Sequence, residues 1–366
     1  MTASVRKKKT FCGAPAKSNM KKLSWFNKVM WFFNIVLTVL TVIAYVLPFL
    51  APKAFPFFSV LTLVLPLFLI LNGLYFLYWA IQLKKQVILS GLVLLLGITF
   101  ISKFYKFSGV NQLESEKDFT VMSYNVRLFN LFRWIGNDHL VEDIRTFIND
   151  QNPDILCIQE YSEGAHVDLK VYPHRYIMVG GDQIKTGHAI LSKFPIIDKG
   201  KIAFPNSNNN AVFADIKKGR DTIRVYSIHL QSIRITPDVD EINNQGAIDQ
   251  KKSGIIFKRM STAFSMQQQQ AEIIKAHKQD CPYPIIICGD MNNSAFSYVY
   301  RSIKGKLNDT FEEGGSGFGQ TYHFKYYPAR IDYIFADKKM QVKEFRNFPD
   351  FYRSDHYPIM TRLYID

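Results

Sequence analysis

The sequence predicts an α/β domain preceded by an all-α, membrane-spanning region. Three observations carry that prediction. Residues 1–110 hold thirteen Lys and Arg and no Asp or Glu. Inside that segment lie three uncharged apolar runs, Val29 to Pro52, Ala54 to Leu83 and Gln86 to Ser102. Beyond it, short apolar runs of β-forming residues recur, and each delivers a polar side chain near its C-terminal end. A chain of 366 residues accommodates two such regions. Its +14 formal charge suggests nucleic acid only until the charge is located. With thirteen positive charges before residue 111, residues 111–366 carry a net +1, and net charge gives no argument for DNA binding.

Residues 1–24 form a basic tail, and residues 25–106 are expected to make three transmembrane helices. The first two runs exceed the roughly 20 residues that cross a bilayer, and the third, at 17, sits at the lower limit. A cleaved signal peptide has an apolar core of about 7–15 residues; the first run here is longer and two more follow. Trp25, Trp31, Tyr75, Trp79 and Tyr105 lie near run ends, as interfacial aromatics do. Eight basic residues precede the first span and Lys84 and Lys85 sit in the second connection, against Lys53 alone in the first. The positive-inside rule then places the N-terminus in the cytoplasm. The expectation is a multi-pass protein of the cytoplasmic (inner) membrane with an extracytoplasmic C-terminal domain. A third run that only dips into the membrane reverses that side.

The polar NQLESEK, within residues 107–117, reads as a linker, and residues 118–366 suffice for one large α/β domain. Cys12, Cys157, Cys281 and Cys288 form no CxxC or Cys/His cluster, which argues against a zinc site or a redox pair. Cys157 and Cys288 sit in apolar strand-like runs and are expected as buried thiols.

FTVMSYN ends at Asn125, DILCIQE at Glu160 and PIIICGD at Asp290, with Asn292 just beyond; TIRVYSIHL carries His229 near its end. Singly, such residues cap turns. Together, on neighbouring strands, they converge on one rim, where they are costly to desolvate unless paired or bound. RIDYIF buries Asp332 in an apolar stretch, and a carboxylate there needs a partner. SDHYP supplies a candidate, His356, preceded by Asp355. A His oriented by an Asp suits proton transfer or stabilisation of developing charge. Glu160 and Asp355 are hard oxygen ligands suited to Mg²⁺. His229 and Asn292 offer donors to a phosphate oxygen, and Asp290 can hold or deprotonate a water. The inventory fits metal-assisted hydrolysis of a phosphate ester. No GxSxG elbow, P-loop or HExxH occurs.

On SYNVR, CIQE, GHAILSKFPI, SIHL, CGDMNN, RIDYIF and RSDHYP, residues 119–366 resemble the endonuclease/exonuclease/phosphatase superfamily of metal-dependent phosphoesterases. The resemblance implies a four-layer α/β sandwich, two packed mixed sheets with helices outside. It implies Glu160 as the main Mg²⁺ ligand, with Mn²⁺ as a substitute, and Asp355 and Asn125 in support. Asp290 would position or activate the water, Asn292 would bind the scissile phosphate and His229 would bond a phosphate oxygen. His356, held by Asp332, would act as general base or transition-state stabiliser, a role shared here with Asp290. His188 departs from the small polar residue often found in GHAILSKFPI.

Four further stretches are weaker. The four-Gln run in SMQQQQAEIIKAHK reads as a surface helix packed by Ile273 and Ile274. Residues 231–260 read as a long loop, substrate-facing or mobile. GGSGFGQTYHF reads as a flexible loop that brings Tyr322 or His323 near the rim, and NSNNN (206–210) as a turn. The leading expectation is a membrane-tethered Mg²⁺-dependent hydrolase of phosphate esters, with a lipid headgroup or nucleic acid as substrate and no protein partner inferred. Its alternatives are a nuclease acting on DNA or RNA, which needs a basic groove, and a catalytically silent binding module on a membrane anchor.

Overall fold

The apolar N-terminal runs fold as helices with their polarity inverted. The computed structural model describes residues 23–181, 184–233, 250–325 and 327–366, with the backbone alone at 250–253. Helix α1 (Trp25–Val46) continues as a 3-10 turn to Phe49; short α2 (Pro56–Ser59) leads into α3 (Leu61–Ile81), and α4 (Val87–Leu96) and α5 (Ile98–Phe104) follow. Phe32, Phe33, Leu67, Leu74, Leu77 and Leu95 face outward. The polar side chains face inward. Asn34 accepts from Trp79 Nε1 at 3.0 Å and donates to Ser90 Oγ at 3.0 Å, and Asn72 donates to Thr41 Oγ1 at 2.9 Å. Such bonds join the helices through their inward-facing polar side chains. They also correct one expectation: Trp79 is fully buried, its indole N–H committed to Asn34, and is not an interfacial residue.

Two helices, Trp25–Phe49 and Leu61–Ile81, are long and apolar enough to cross a membrane. The third expected span is broken: α4 and α5 meet at a 64° bend. Gly97 lies at the bend, where a Cβ would stand 2.0 Å from the Tyr45 hydroxyl. That hydroxyl donates to Val93 O at 3.1 Å, so the kink has an inserted side chain and a glycine as its cause. The chain passes along the bundle three times. Asn27, at the start of α1, donates to Gln82, at the end of α3, at 2.9 Å. At the opposite end, Lys53 N bonds Gln268 Oε1 at 2.8 Å and Arg330 Nη2 bonds Lys103 O at 3.1 Å, both tying the bundle to the C-terminal domain.

That domain has two six-stranded sheets. One takes β1 (Phe119–Asn125), β2 (Ile155–Ser162), β3 (His174–Gly180), β4 (Thr186–Ser192), β11 (Met340–Asn347) and β12 (Ile359–Ile365), in the order β11-β12-β1-β2-β4-β3. The other takes β5 (Ile196–Ala203), β6 (Asn210–Lys218), β7 (Asp221–His229), β8 (Ile285–Asp290), β9 (Asn308–Asp309) and β10 (Asp332–Ala336), in the order β5-β6-β7-β8-β10-β9. Each has one parallel pair at its centre, β1 with β2 and β7 with β8. A parallel pair needs a crossover, supplied by α6 (Leu140–Gln151) and by α7 (Gln250–Gln279). Two short helices, α8 (Tyr298–Lys304) and α9 (Thr310–Gly314), complete the domain.

The central strands read as unbroken apolar runs because both faces are covered. Val121, Ile155, Cys157, Val225, Ile286 and Cys288 meet between the sheets. Met122, Tyr124, Leu156 and Ile158 face Ile144 and Ile148 of α6. Tyr226, Ile285 and Ile287 face Ala271 and Ile274 of α7 with Val299 and Ile303 of α8. These three cores separate four layers, the architecture the resemblance implies. Cys157 and Cys288 are buried free thiols, as expected.

Two loop readings change. From Gln250 onward the expected loop is helix: Met260, Ala263 and Phe264 of α7 pack on Ile233 with Val60 and Leu63, so the partner of this face is the N-terminal region. The rest of that loop, residues 234–249, lies outside the described residues. The glycine-rich 314–319 segment is clamped. Lys106 and Gly317 exchange both backbone hydrogen bonds at 2.9 Å, and a Cβ at Gly315 or Gly319 would come within 2.5 Å of the Phe311 ring.

Candidate active site

The rim is assembled by strand register. In the parallel pair, His229 lies opposite Asp290; in the antiparallel pair β8–β10, Asp332 lies opposite Asp290. Asp290 therefore stands between the other two. Asn125, at the end of β1, reaches across from the other sheet, donating Nδ2 to Asp290 Oδ2 at 3.1 Å and to Glu160 Oε1 at 3.4 Å. Glu160 does not end its strand as expected. It occupies a β-bulge between Gln159 and Tyr161 at φ 52°, and β2 runs on to Ser162. The bulge re-aims its side chain, as bulges beside active sites do. Gly289 is needed next to Asp290. It has φ 137°, and a Cβ there would lie 2.0 Å from Ile228 O on the neighbouring strand.

Asp332 finds the partner its apolar setting demands. His356 Nδ1 lies 2.9 Å from Asp332 Oδ2 and 3.1 Å from Oδ1, leaving Nε2 aimed at Asp290 Oδ2, 3.6 Å away. The ligand atoms of Asp290, Asp332 and His356 all fall within 4.8 Å of one another. The Asp332–His356 bond is of ordinary length, and Asp290 stands just beyond hydrogen-bond reach of Nε2. His229 Nε2 lies 3.6 Å from Asp290 Oδ2 and 3.7 Å from Glu160 Oε1. Asn292 is folded back at φ 49°; its N–H and Nδ2 bond Asp290 at 2.7 and 3.2 Å, and Nδ2 also bonds Leu230 O at 2.9 Å.

Electrostatics follow from this packing. Burial pushes the Asp290 carboxyl up to about 6, against the pull of the His356 and His229 imidazoles. Burial alone would lower His356; the Asp332 carboxylate, and then Asp290, override it and hold the imidazole well above its ordinary value.

The residues expected at the metal differ in what they present. Glu160 and Asp355 are partly exposed carboxylates, the hard oxygen donors that Mg²⁺ or Mn²⁺ takes, and Glu160 has no Lys or Arg partner among the described residues. Asn125 turns its amide nitrogen to Glu160 and Asp290 while Oδ1 accepts from Arg127 N at 3.1 Å.

Several supporting residues escaped the sequence reading. Arg127 Nη1 lies 3.4 Å from Asp355 Oδ2 and its guanidinium stacks on Trp134 at 4.4 Å. It opens a run of four residues at positive φ, Arg127 to Asn130, a strained turn of the kind found at functional sites. Ser354 Oγ donates to Asn125 O at 2.9 Å, and Thr321 Oγ1 accepts from Asp332 N at 3.0 Å. Gln267, from the four-Gln run, is fully buried behind the rim. It donates to Gln231 O and Asn292 O and accepts from Asn293 Nδ2. Its only signal was position, four residues before Ala271 on the face that α7 buries.

His188 is fully buried between the sheets. Its Nε2–H donates to Asn210 O and its Nδ1 accepts from Ser227 Oγ, both at 3.0 Å. Tyr322 stacks edge-on to His356 with centroids 5.0 Å apart, whereas the His323 ring is held 2.9 Å from the Tyr357 hydroxyl.

A family model described as the Endonuclease/Exonuclease/phosphatase family matches residues 122–356, and one described as a domain of unknown function matches residues 27–104. No curated protein matches the chain. Among solved structures, humanised D. rerio TDP2 is 17% identical with a TM-score of 0.52, covering 68% of this chain and 99% of its own. The human Nocturnin catalytic domain with bound sulfate anion is 16% identical with a TM-score of 0.51, at 72% and 97%. The mannosyl-6-phosphatase of Bacteroides thetaiotaomicron VPI-5482 is 19% identical with a TM-score of 0.50, at 67% and 99%. At such identities these likenesses show the fold and leave the substrate open. The family model spans well over half of the chain and ends on the two motifs that form the Asp332–His356 pair, and the chain belongs to the endonuclease/exonuclease/phosphatase family.

Proposed function

We propose that this protein is a membrane-tethered, metal-dependent hydrolase that cleaves phosphate esters by attack of water at phosphorus. The observation that carries the reading is the convergence of Asn125, Glu160, His229, Asp290, Asn292 and the Asp332–His356 pair on one rim shared by both sheets. Glu160 and Asp355 would hold a Mg²⁺ or Mn²⁺ ion, which when bound supplies positive charge to a phosphate oxygen. The remaining work belongs to the chain. Asp290, with a carboxyl poised near neutrality, orients a water and takes its proton. Asp332 fixes the His356 ring so that Nε2 faces Asp290 and the developing charge. His229 Nε2, near both Glu160 and Asp290, donates to a phosphate oxygen once substrate enters.

The inverted polarity of α1, α3 and α4 supports the tether: apolar side chains outside, hydrogen-bonded polar ones inside. The experiment is a metal-dependent screen of the full chain in detergent. It compares plasmid DNA, an abasic duplex, sphingomyelin, phosphoinositides and an aryl phosphodiester. Hydrolysis of at least one, lost on chelation and restored by Mg²⁺ or Mn²⁺, is expected; full activity in excess chelator contradicts the proposal.

A further inference from the structure

We infer that the phosphate ester bound at this rim is a lipid of the surrounding bilayer, its hydrocarbon chain lying in a cavity walled jointly by the N-terminal helices and the catalytic domain. The inference rests on the phosphoesterase reading and names its substrate class. A cavity of about 320 Å³ opens beside the rim. Arg127, Asn292 and Asp355 are part of its lining, which joins it to the groups assigned to phosphate and metal. The rest of the lining is largely apolar, with Leu63 and Pro66 of α3 and Phe104 of α5 beside Phe296, Phe318 and Tyr327 of the domain. Its size lies at the lower end of the range for small-molecule sites.

The joint around this cavity is built. Ser294 Oγ donates to Thr62 O at 3.1 Å, and Phe104 packs edge-on to Phe318 with centroids 5.2 Å apart. Phe100 lies 6.1 Å from Phe296, two residues after Ser294 and four after Asn292. The loop that carries Asn292 is thus seated on the apolar helices. Bases can stack on aromatic walls, but nucleic-acid affinity comes chiefly from free cations along the backbone. The cations lining this cavity are turned to protein: Arg330 bonds Asp309 at 2.8 Å, Lys103 sits over the Tyr300 ring at 4.9 Å and Arg127 pairs with Asp355. The level of the cavity completes the argument. It lies where the start of α3 and the end of α5 reach the domain, the height of lipid phosphates if these helices span. A phosphate held beside Asn292 and Asp355 leaves its chain to run down α3. Hydrolysis forms a bond from phosphorus to the water oxygen and breaks the bond to the leaving alcohol, which takes the water's proton.

The test uses the full chain in nanodiscs with Mg²⁺ and a series of 4-nitrophenyl alkyl phosphodiesters, from methyl to decyl. Wild type is compared with Leu63→Gln, and separately with Phe318→Ser, in identical nanodiscs so that partitioning cancels. The expected result is a wild-type-to-variant ratio of kcat/KM that grows about tenfold or more from methyl to decyl, because each buried methylene adds binding energy. A ratio independent of chain length, with Mg²⁺-dependent turnover intact, overturns the lipid inference and leaves the phosphoesterase reading standing. Plasmid DNA cleaved faster than every alkyl ester does the same. No hydrolysis of any substrate at any metal overturns the phosphoesterase reading, and the inference with it.

Discussion

His188 is buried neutral: Asn210 O can only accept, so Nε2 carries the proton and Nδ1 accepts a hydrogen bond from the Ser227 hydroxyl. Burial, aided by the charge of His229, pushes this imidazole down to about 3. The unfolded chain binds a proton below its ordinary pKa near 6.5 and the folded chain does not, so stability is full above that pH and falls as pH drops toward 3. We expect His188 to account for ~2 kcal/mol of stability lost between pH 7 and pH 5. Denaturant midpoints of His188→Gln should show a correspondingly flatter pH dependence, and an equally steep one in the variant assigns the loss to another group. Asp332 and His356 make a second residue-scale prediction. Asp332→Asn and His356→Ala should each lower turnover by roughly 10²-fold or more, and the double variant should be little worse than the poorer single, since the pair acts as a unit. Losses that multiply would make Asp332 a structural group.

At the scale of elements, the strands were legible because apolar runs ending in polar residues state both a covered strand and a rim. FTVMSYN is β1 in full, and PIIICGD contains β8 entire. What was not legible depended on contacts distant in sequence. The bulge that turns Glu160 outward has no local signature, since nothing in CIQEYS demands φ 52° there. The first turns of α7 read as loop because their apolar partners lie in α2 and α3. The four-Gln run read as surface because Gln is seldom buried, yet Gln267 is the strut between α7 and the Asn292–Asn293 turn. Gln267→Leu keeps the volume and leaves several buried partners unpaired. It should cost ~1–3 kcal/mol by denaturant titration and lower turnover as well. Stability and activity both unchanged would remove Gln267 from the support of the site.

Across the whole molecule, the N-terminal helices are joined to the domain that carries the candidate site. The α1–α3 connection and the end of α5 both contact the catalytic domain, while the start of α1 and the end of α3 meet at the far end. That arrangement fits three crossings, with the bent α4–α5 pair as the third. A reporter enzyme that works only after export, fused after Val110, should then be active, and a reporter that needs the cytoplasm should be dark. The reverse pattern would put the domain inside. The central claim is narrower than topology: the rim hydrolyses phosphate esters through a metal that Glu160 holds. The direct measurement is the Mg²⁺-dependent hydrolysis rate of Glu160→Gln beside wild type, with the unfolding temperature of each. Glu160 is partly exposed, and among the described residues its carboxylate has Asn125 and His229 as polar neighbours, so the variant should keep the wild-type unfolding temperature within a few degrees while losing hydrolysis by roughly 10²-fold or more. A variant that folds normally and hydrolyses at the wild-type rate, with the same metal requirement, would contradict the account.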